Sequence, residues 1–117
     1  MHKKMITVIS LICIITSLLV LNISVNRKII YRNTVEEIVR QGYSESDIKN
    51  IEIHHSYINI LLSYNEWRIA VEFIKVEDAS FWFTYKKGKI LYQGVNSPDK
   101  DITISYDKQY KNGTLLD

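Results

Sequence analysis

The chain has 117 residues, one cysteine and a formal net charge of +2, a length that supports one compact domain. Residues 5–25 carry no charged side chain, whereas residues 26–117 carry 13 Lys and Arg against 13 Asp and Glu. The net charge therefore comes from Lys3 and Lys4, which precede the uncharged run. This balance argues against the strongly basic face that is typical of nucleic-acid-binding domains, so we predict no nucleic-acid partner.

The uncharged run at residues 5–25 predicts a membrane anchor. As a helix, its 21 residues would be about 32 Å long, against a bilayer hydrocarbon core of about 30 Å. Its Ser and Thr hydroxyls can bond back to the preceding helical turn, so they cost little in lipid. We therefore predict an anchor over residues 1–26 that contacts the lipid bilayer through residues 5–25.

A cleaved signal peptide is the alternative interpretation of this run. The apolar core is longer than the usual ~7–15 residues of a signal peptide, and Asn22-Ile23-Ser24 is a poor cleavage site. Bulky Ile12 directly before Cys13 argues against lipidation of the cysteine. We interpret the segment as an uncleaved signal-anchor in a single-pass membrane protein.

Basic residues flank both ends of the anchor, so their count alone does not predict which side of the membrane each end occupies. Counted literally, Arg27, Lys28 and Arg32 would place the following part in the cytoplasm. Long domains translocate largely regardless of charge, however, and a basic start before an apolar core is the layout of an export signal. We predict that the chain lies in the cell membrane with its C-terminal domain extracytoplasmic.

The segment after the anchor predicts an amphipathic helix. Tyr31, Val35, Ile38, Val39 and Gly42 fall at i, i+4, i+7, i+8 and i+11, which is one stripe of a helix. Glycine at the last of these positions can adopt a positive φ and end the helix. Because no proline or glycine separates anchor and helix, we expect one to continue into the other.

Four later stretches alternate between apolar and polar residues, the pattern of half-buried β-strands. They span residues 51–57, 67–74, 81–85 and 90–94. The short connections favour antiparallel hairpins. The sequence therefore predicts an α+β fold, in which an N-terminal transmembrane helix continues into an amphipathic helix and a four-stranded antiparallel β-meander packs on that helix.

Turn residues predict the registers of two hairpins. Lys87-Gly88 predicts a two-residue turn, because glycine supplies the positive φ that a tight turn needs, and this turn sets Tyr85 opposite Ile90. The preceding hairpin has no comparable turn signal. There, a loop of residues 77–79 keeps the apolar faces consistent, with Phe73 opposite Phe83 and Ile74 opposite Trp82.

The chain becomes polar beyond Pro98. Ile102, Ile104 and Tyr106 alternate well enough to predict a short strand, and from Lys108 onward we predict disorder. The predicted organisation is an anchor at residues 1–26, a small α+β domain at residues 27–98 and a C-terminal segment at residues 99–117.

Several short motifs carry a family resemblance. They are Gly42-Tyr43, Asp47-Ile48, Ile51-x-Ile53, Tyr64-x-x-Trp67 and Tyr85-x-x-Gly88-Lys89. In this order and spacing the chain resembles the domain of unknown function 3139 family, short membrane-anchored proteins of Gram-positive bacteria, from the N-terminus to about Gly94. Ser63 and Glu66 stand where that family often has Gly and Pro, so the turn between them can differ. The resemblance implies no activity, cofactor or site residue, because the family has none assigned.

The histidine pair His54-His55 is the one motif that suggests metal or hydrolytic chemistry. Neighbours on a strand point to opposite faces, so one ion cannot easily take both imidazoles. Ser56 and Ser63 are near in sequence, yet no glycine-rich elbow accompanies them, and no HExxH or CxxC spacing occurs. We predict a protein that is not an enzyme, with no catalytic residues, no metal site and no cofactor.

One apolar patch remains for an interaction. Trp82, Ala70 and Ile74 are predicted on the sheet face that a single helix cannot cover, where an apolar patch favours a partner-binding surface. The alternative is that the C-terminal segment around Ile102 and Ile104 folds over it. We hypothesise a small non-catalytic interaction domain that binds another membrane or envelope protein. The alternative function is a regulator or inhibitor of an envelope peptidase or signalling protein, by fold-level analogy with PepSY-type domains, to which the helix-then-meander order is similar.

Overall fold

The computed structural model describes residues 2–116 as a long helix, a four-stranded sheet and a C-terminal helix. The helices are α1 (His2–Arg40), α2 (Tyr57–Leu61) and α3 (Lys100–Asn112), with a 3-10 turn at Glu45–Asp47. The strands are β1 (Ile48–His55), β2 (Trp67–Phe73), β3 (Ser80–Lys86) and β4 (Lys89–Asn96), which lie in this order in an antiparallel sheet. The predicted α+β architecture is therefore confirmed. The outer bounds of the predicted segments, Met1 and Asp117, lie outside the described residues.

Helix α1 runs without interruption from the N-terminal apolar run into the domain, as expected. Its most apolar 18-residue window has a mean hydropathy of 2.6, and none of that window is buried inside the protein. Among residues 2–116, α1 is the one helix long and apolar enough to cross a membrane, and an N-terminal signal sequence meets the same criteria.

The buried stripe of α1 is rotated by one residue from the predicted stripe. Ile30, Thr34 and Ile38 are fully buried, whereas Tyr31 is 48% and Val39 47% exposed. Thr34 can occupy a core position because its hydroxyl donates a hydrogen bond to the Ile30 carbonyl oxygen at 2.7 Å. The apolar pattern correctly included Ile38 but missed Ile30 and Thr34, because threonine does not read as an apolar residue.

The β3–β4 hairpin has the predicted register from its turn to the Phe83–Tyr92 pair, and an irregularity then pairs Trp82 with Gly94. Lys86 lies opposite Lys89 and Tyr85 opposite Ile90. The two turn residues between the strands, Lys87 and Gly88, have φ angles of 53° and 76°. Positive φ at both central residues is the requirement of the tight turns that join twisted antiparallel strands.

The predicted β2–β3 register is wrong by four residues. Phe83 lies opposite Ile69 rather than Phe73. Strand β2 ends at Phe73, so Ile74, which was predicted opposite Trp82, lies in the connecting loop. A shift by an even number of residues keeps every side chain on its predicted face of the sheet.

Strand β1 ends at His55, so the predicted extension to Tyr57 is wrong. Ser56 is the N-cap of α2, with extended backbone, and its hydroxyl accepts a hydrogen bond from the Asn59 amide at 3.3 Å. Capping by a serine side chain starts a helix at the next residue, so Tyr57 begins α2 instead of continuing the strand.

The prediction for the C-terminal segment is also wrong. In place of a short strand at residues 102–106 and disorder from Lys108, the chain forms α3. Asp99 caps the helix, because its carboxylate accepts hydrogen bonds from the amides of Asp101 at 2.8 Å and Ile102 at 3.4 Å.

The end of α3 closes against the rest of the domain. Gly113 ends the helix with a φ of 73°, and its amide donates to the Tyr110 carbonyl oxygen at 3.1 Å. Tyr110 is 3% and Leu115 7% exposed, whereas Ile102 and Ile104 are 44% and 57% exposed. The isoleucines that produced the strand-like alternation thus lie on the outer surface of a helix.

Both long helices pack on one face of the sheet. The core there contains Ile30 and Ile38 from α1 and Tyr110 from α3. At its centre is a group of six rings, which we call the aromatic cluster: Tyr43, Phe73, Phe81, Phe83, Tyr92 and Tyr110.

Candidate functional site

The predicted partner surface is placed in part as expected. Ala70 on β2 lies opposite Trp82 on β3, on the face away from the aromatic cluster. Ala70 is 6% exposed and Trp82 is half-buried. Ile74 is 59% exposed but lies beyond the end of β2. The structure therefore brings together Ala70 and Trp82 and does not bring Ile74 to them through the sheet.

Trp82 on β3 is flanked by a cation from the neighbouring strand β2 and by an imidazole from β1, the strand beyond it. The Arg68 guanidinium carbon lies 4.8 Å from the centroid of the Trp82 ring. The His54 ring is stacked with its centroid at 6.2 Å and an interplanar angle of 27°. His54 Nε2 is in turn 3.4 Å from Glu52 Oε2. We call Trp82, Arg68, His54 and Glu52, together with Ala70 opposite Trp82 on β2, the tryptophan face.

The C-terminal segment does not cover the tryptophan face, which corrects the alternative raised from the sequence. Tyr110 of α3 contacts Phe73, Phe81 and Phe83, whose side chains belong to the opposite face of the sheet. The apolar residues of α1 enter the same core. Within the part of the chain that the structure describes, both long helices thus pack on the opposite face of the sheet.

The two adjacent histidines point to opposite faces, as the strand geometry predicted. The His55 side chain is 6% exposed, and its Nε2 lies 2.8 Å from Glu66 Oε1. The His55 ring also meets Tyr57 edge-on at 4.5 Å and Trp67 at 4.4 Å. This pair ties the end of β1 to the start of β2.

The His55–Glu66 pair supplies two of the three groups that an activated nucleophile needs. The neighbouring Ser56 hydroxyl accepts a hydrogen bond from the Asn59 amide and so caps helix α2. In residues 2–116, no group of three or more His, Cys, Asp or Glu side chains could hold a metal ion. The absence of a cofactor and of catalytic residues stays a prediction.

Shifted pKa values occur where α3 packs on the sheet. The Tyr92 hydroxyl donates to Asp107 Oδ1 at 2.7 Å, and burial together with this hydrogen bond raises the pKa of Tyr92. Burial by itself would raise the pKa of Asp107, but the hydrogen bond from Tyr92 and the Lys111 ammonium 3.1 Å away lower it overall. Burial also raises the pKa of Tyr110. These groups fasten α3 to the domain.

Sequence reasoning missed the connection between β1 and β2. Residues 56–66, which we call the proximal loop, contain α2 and no charged residue before Glu66. Several of its large apolar side chains are exposed to solvent: Tyr57, Ile58, Ile60, Leu61, Leu62 and Tyr64. The signal available in the sequence was this uncharged run of aliphatic and aromatic residues between two strands.

Comparison of the chain with known protein families, with curated proteins and with solved structures finds no match. The architecture is a small α+β domain on a continuous helix that is apolar enough to cross a membrane.

Proposed function

We propose that the chain is an uncleaved single-pass membrane protein whose α+β domain binds another membrane or envelope protein without catalysing a reaction. The observation that carries this proposal is the tryptophan face, where Trp82 packs between Arg68 and His54 while the core is completed on the other side of the sheet. Membership of the domain of unknown function 3139 family and regulation of a peptidase stay predictions.

The packing of α1 supports an anchor that is retained. Ile23, inside the uncharged run, is half-buried against the domain core. About one turn later, Arg27 Nη1 donates to the Ile53 carbonyl oxygen at 2.6 Å. Removal of residues up to Ser24 would take away part of the surface on which the domain packs, so an intact α1 stabilises the domain.

The composition of the tryptophan face supports binding. Trp and Arg are the side chains most enriched among residues that dominate interface energies. Glu52 and His54, which are more than half exposed, supply the polar rim that usually surrounds such an anchor. The chemistry fits a partner surface that offers an apolar recess beside acidic groups, which would pair with Arg68.

Photo-crosslinking in living membranes tests this binding role. A photoreactive amino acid at position 52, beside an intact Trp82, should give one defined protein adduct, and Trp82→Ala should abolish it. The same probe at position 104, exposed on the outer side of α3, is the matched control and should not give that adduct. Only lipid adducts, or none, from position 52 would contradict the proposal.

Cysteine labelling tests the side of the membrane on which we propose the domain lies. Cys13 is the chain's one cysteine, so Cys13→Ser combined with Ser46→Cys gives a single thiol in an exposed turn. A membrane-impermeant maleimide should label it in intact cells. Labelling that requires lysis would place the domain in the cytoplasm. Recovery of native Cys13 in the mature chain, by mass spectrometry, reports separately that the anchor is retained.

A further inference from the structure

The proximal loop exposes an apolar surface that the proposed function has not used. Leu61 is 85% exposed, the largest value for a large hydrophobic residue in the described part of the chain. Tyr64 and Ile58 follow at 69% and 66%. A cluster of aliphatic and aromatic side chains this open to solvent marks an interaction surface.

The backbone of the proximal loop is closed on itself by hydrogen bonds. The Tyr64 amide donates to the Asn59 carbonyl oxygen at 2.7 Å, and Asn59 Nδ2 donates to the Asn65 carbonyl oxygen at 2.9 Å. At the base of the loop, the Ser56 amide donates to the Glu66 carbonyl oxygen at 3.1 Å. Internal pairing of backbone groups lowers the cost of moving a segment out of water, so this loop can present its apolar side chains to lipid.

The proximal loop lies at the level where the uncharged run of α1 ends. Ile60 and Tyr64 line a depression together with Asn26, the first residue after that run. Ile23, one turn earlier, already packs against the domain core. When the uncharged run spans a bilayer, these contacts bring the proximal loop to the membrane surface.

Basic side chains surround this surface. Lys86 and Lys87, at the tip of the β3–β4 hairpin, line the same depression as Asn26 and Tyr64. Arg27 and Lys28 directly follow Asn26 within α1. Lysine and arginine close to a bilayer attract anionic lipid headgroups, and tyrosines are enriched at the membrane–water interface.

We propose that the proximal loop inserts Ile58, Leu61 and Leu62 into the interfacial region of an anionic lipid bilayer beside α1. The inference rests on the proposed membrane anchor and adds a second point of contact. Lipid is the occupant because the apolar loop, the end of the uncharged run and the basic hairpin tip lie together. Held at two points, the domain keeps one orientation on the membrane rather than swinging about α1.

Depth-sensitive fluorescence of the full chain in vesicles tests the insertion. An environment-sensitive dye is attached at Leu61→Cys in a Cys13→Ser background, in vesicles of phosphatidylcholine and phosphatidylglycerol. We expect a blue-shifted emission and loss of intensity with lipids that carry a nitroxide near the headgroup. The dye at Ser46→Cys, in the turn beyond the far end of α1, is the control and should stay unquenched.

The same dye on native Cys13 separates failure of this inference from failure of the anchor. Quenching at Cys13 by a nitroxide deep in the acyl chains, without quenching at position 61, would overturn the inference and leave the anchor standing. No quenching at either position would overturn both. A blue shift at position 61 without lipid quenching, which disappears on dilution of the protein in the bilayer, would indicate a second copy as occupant and also overturn it.

The charge requirement gives an independent readout. Lys86→Gln with Lys87→Gln should reduce the quenching at position 61 in vesicles that contain phosphatidylglycerol. In vesicles of phosphatidylcholine alone the substitutions should change little. Equal quenching by the parent and the variant in anionic vesicles would contradict the role of the hairpin tip.

Discussion

The two ends of the domain differ in the burial of their aromatic and aliphatic side chains. At the end of α1 far from the uncharged run, Tyr43 stacks on Tyr110 with ring centroids 5.5 Å apart, and both residues are buried. At the near end, Leu61 and Tyr64 of the proximal loop are largely exposed. The far end is closed by the protein itself, whereas the near end leaves apolar surface open beside the anchor.

This difference indicates which contacts hold the domain together and which remain for the membrane. Tyr110 comes from the C-terminal helix and contacts rings from three strands and from the segment after α1, so removing it should loosen every layer. The proximal loop is fixed by hydrogen bonds at its base and tip, so its outward side chains should contribute little to folding.

Truncation of a tyrosine at each end should give the largest contrast. Tyr110→Ala should lower the free energy of unfolding by about 3–5 kcal/mol, because a fully buried ring is replaced by a cavity. Tyr64→Ala should change it by less than about 0.5 kcal/mol, as expected for an exposed side chain. Urea unfolding of the full chain in micelles, followed by tryptophan fluorescence, measures both. Similar losses from the two variants would contradict the comparison.

Two glycines with nearly equal φ angles provide a second comparison of the two ends. Gly113 and Gly88 have φ angles of 73° and 76°. A Cβ at Gly113 would lie 3.3 Å from the Gln41 carbonyl oxygen, whereas a Cβ at Gly88 would meet nothing within 4 Å. Gly88→Ala should therefore cost about 1 kcal/mol for the left-handed backbone alone.

We expect Gly113→Ala to cost about 2 kcal/mol, because displacement of the α1–α3 junction adds to the same backbone strain. Thermal unfolding of the two variants under identical conditions measures the difference. Equal shifts would show that the junction yields freely, and the far end would then be less tightly closed than its burial indicates.

The hydrogen bond between Tyr92 and Asp107 should give a smaller effect that depends on pH. Tyr92→Phe should lower the free energy of unfolding by about 1–2 kcal/mol at neutral pH, since a bond to a charged acceptor is lost. The pKa of folded Asp107 is below its ordinary value of 3.8, so its contribution is present above that value and disappears as pH falls through the folded pKa.

Asp107→Asn provides the matching measurement. The stability difference between the parent chain and this variant should be constant from neutral pH to about pH 5 and shrink below about pH 4. On the alkaline side, the raised pKa of Tyr92 and Tyr110 makes the parent lose stability above about pH 10, where unfolded tyrosine ionises first. A difference that grows on acidification would contradict this assignment.

The smallest effect should come from the tryptophan face. Arg68→Ala should lower the free energy of unfolding by about 0.5–1 kcal/mol, the size of an exposed cation–π contact. In a Trp67→Phe background, the emission of Trp82 should shift to the red as the guanidinium is lost. Arg68→Lys, which keeps the charge, should retain part of both signals. An unchanged Trp82 emission would show that Arg68 does not shield the ring.

The hairpin of β3 and β4 was predictable because the information is local. Lys87-Gly88 fixes the turn, and the turn fixes that Tyr85 faces Ile90. The connection between β2 and β3 was not predictable in the same way. It spans residues 74–79 rather than 77–79, and its Val76 and Ala79 are buried in the core. The β2–β3 register accompanies the burial of these loop residues, and the sequence of the loop contains no turn motif that would predict it.

The C-terminal helix could have been found from its ends. Asp99 after a proline and Gly113 at the other end are cap residues at helical spacing. The strand prediction instead followed the alternation of Ile102 and Ile104 and did not use these cap residues. In the helix, Tyr110 and Tyr106, four residues apart, both pack against the core, and Tyr110 joins the aromatic cluster.

The candidate site was predictable in its face but not in its composition. Period-two alternation placed Trp82 and Ala70 on one side of the sheet irrespective of register. Arg68 and His54 reached the Trp82 ring only through the observed pairing of β1, β2 and β3. The same sheet and α1 brought the proximal loop next to Asn26.

The sequence by itself determined the uncharged run, the continuation of α1 into the domain, the order of α1 and the four strands, and the faces of the strand residues up to the irregularity between Tyr92 and Gly94 in β4. These features depend on composition and on periodicities within single segments. The tertiary structure alone decided the β2–β3 register, the buried Thr34 stripe, the fold of residues 100–112 and the position of the proximal loop. Each of these depends on which surfaces meet in space, and burial against a distant segment can override a local pattern.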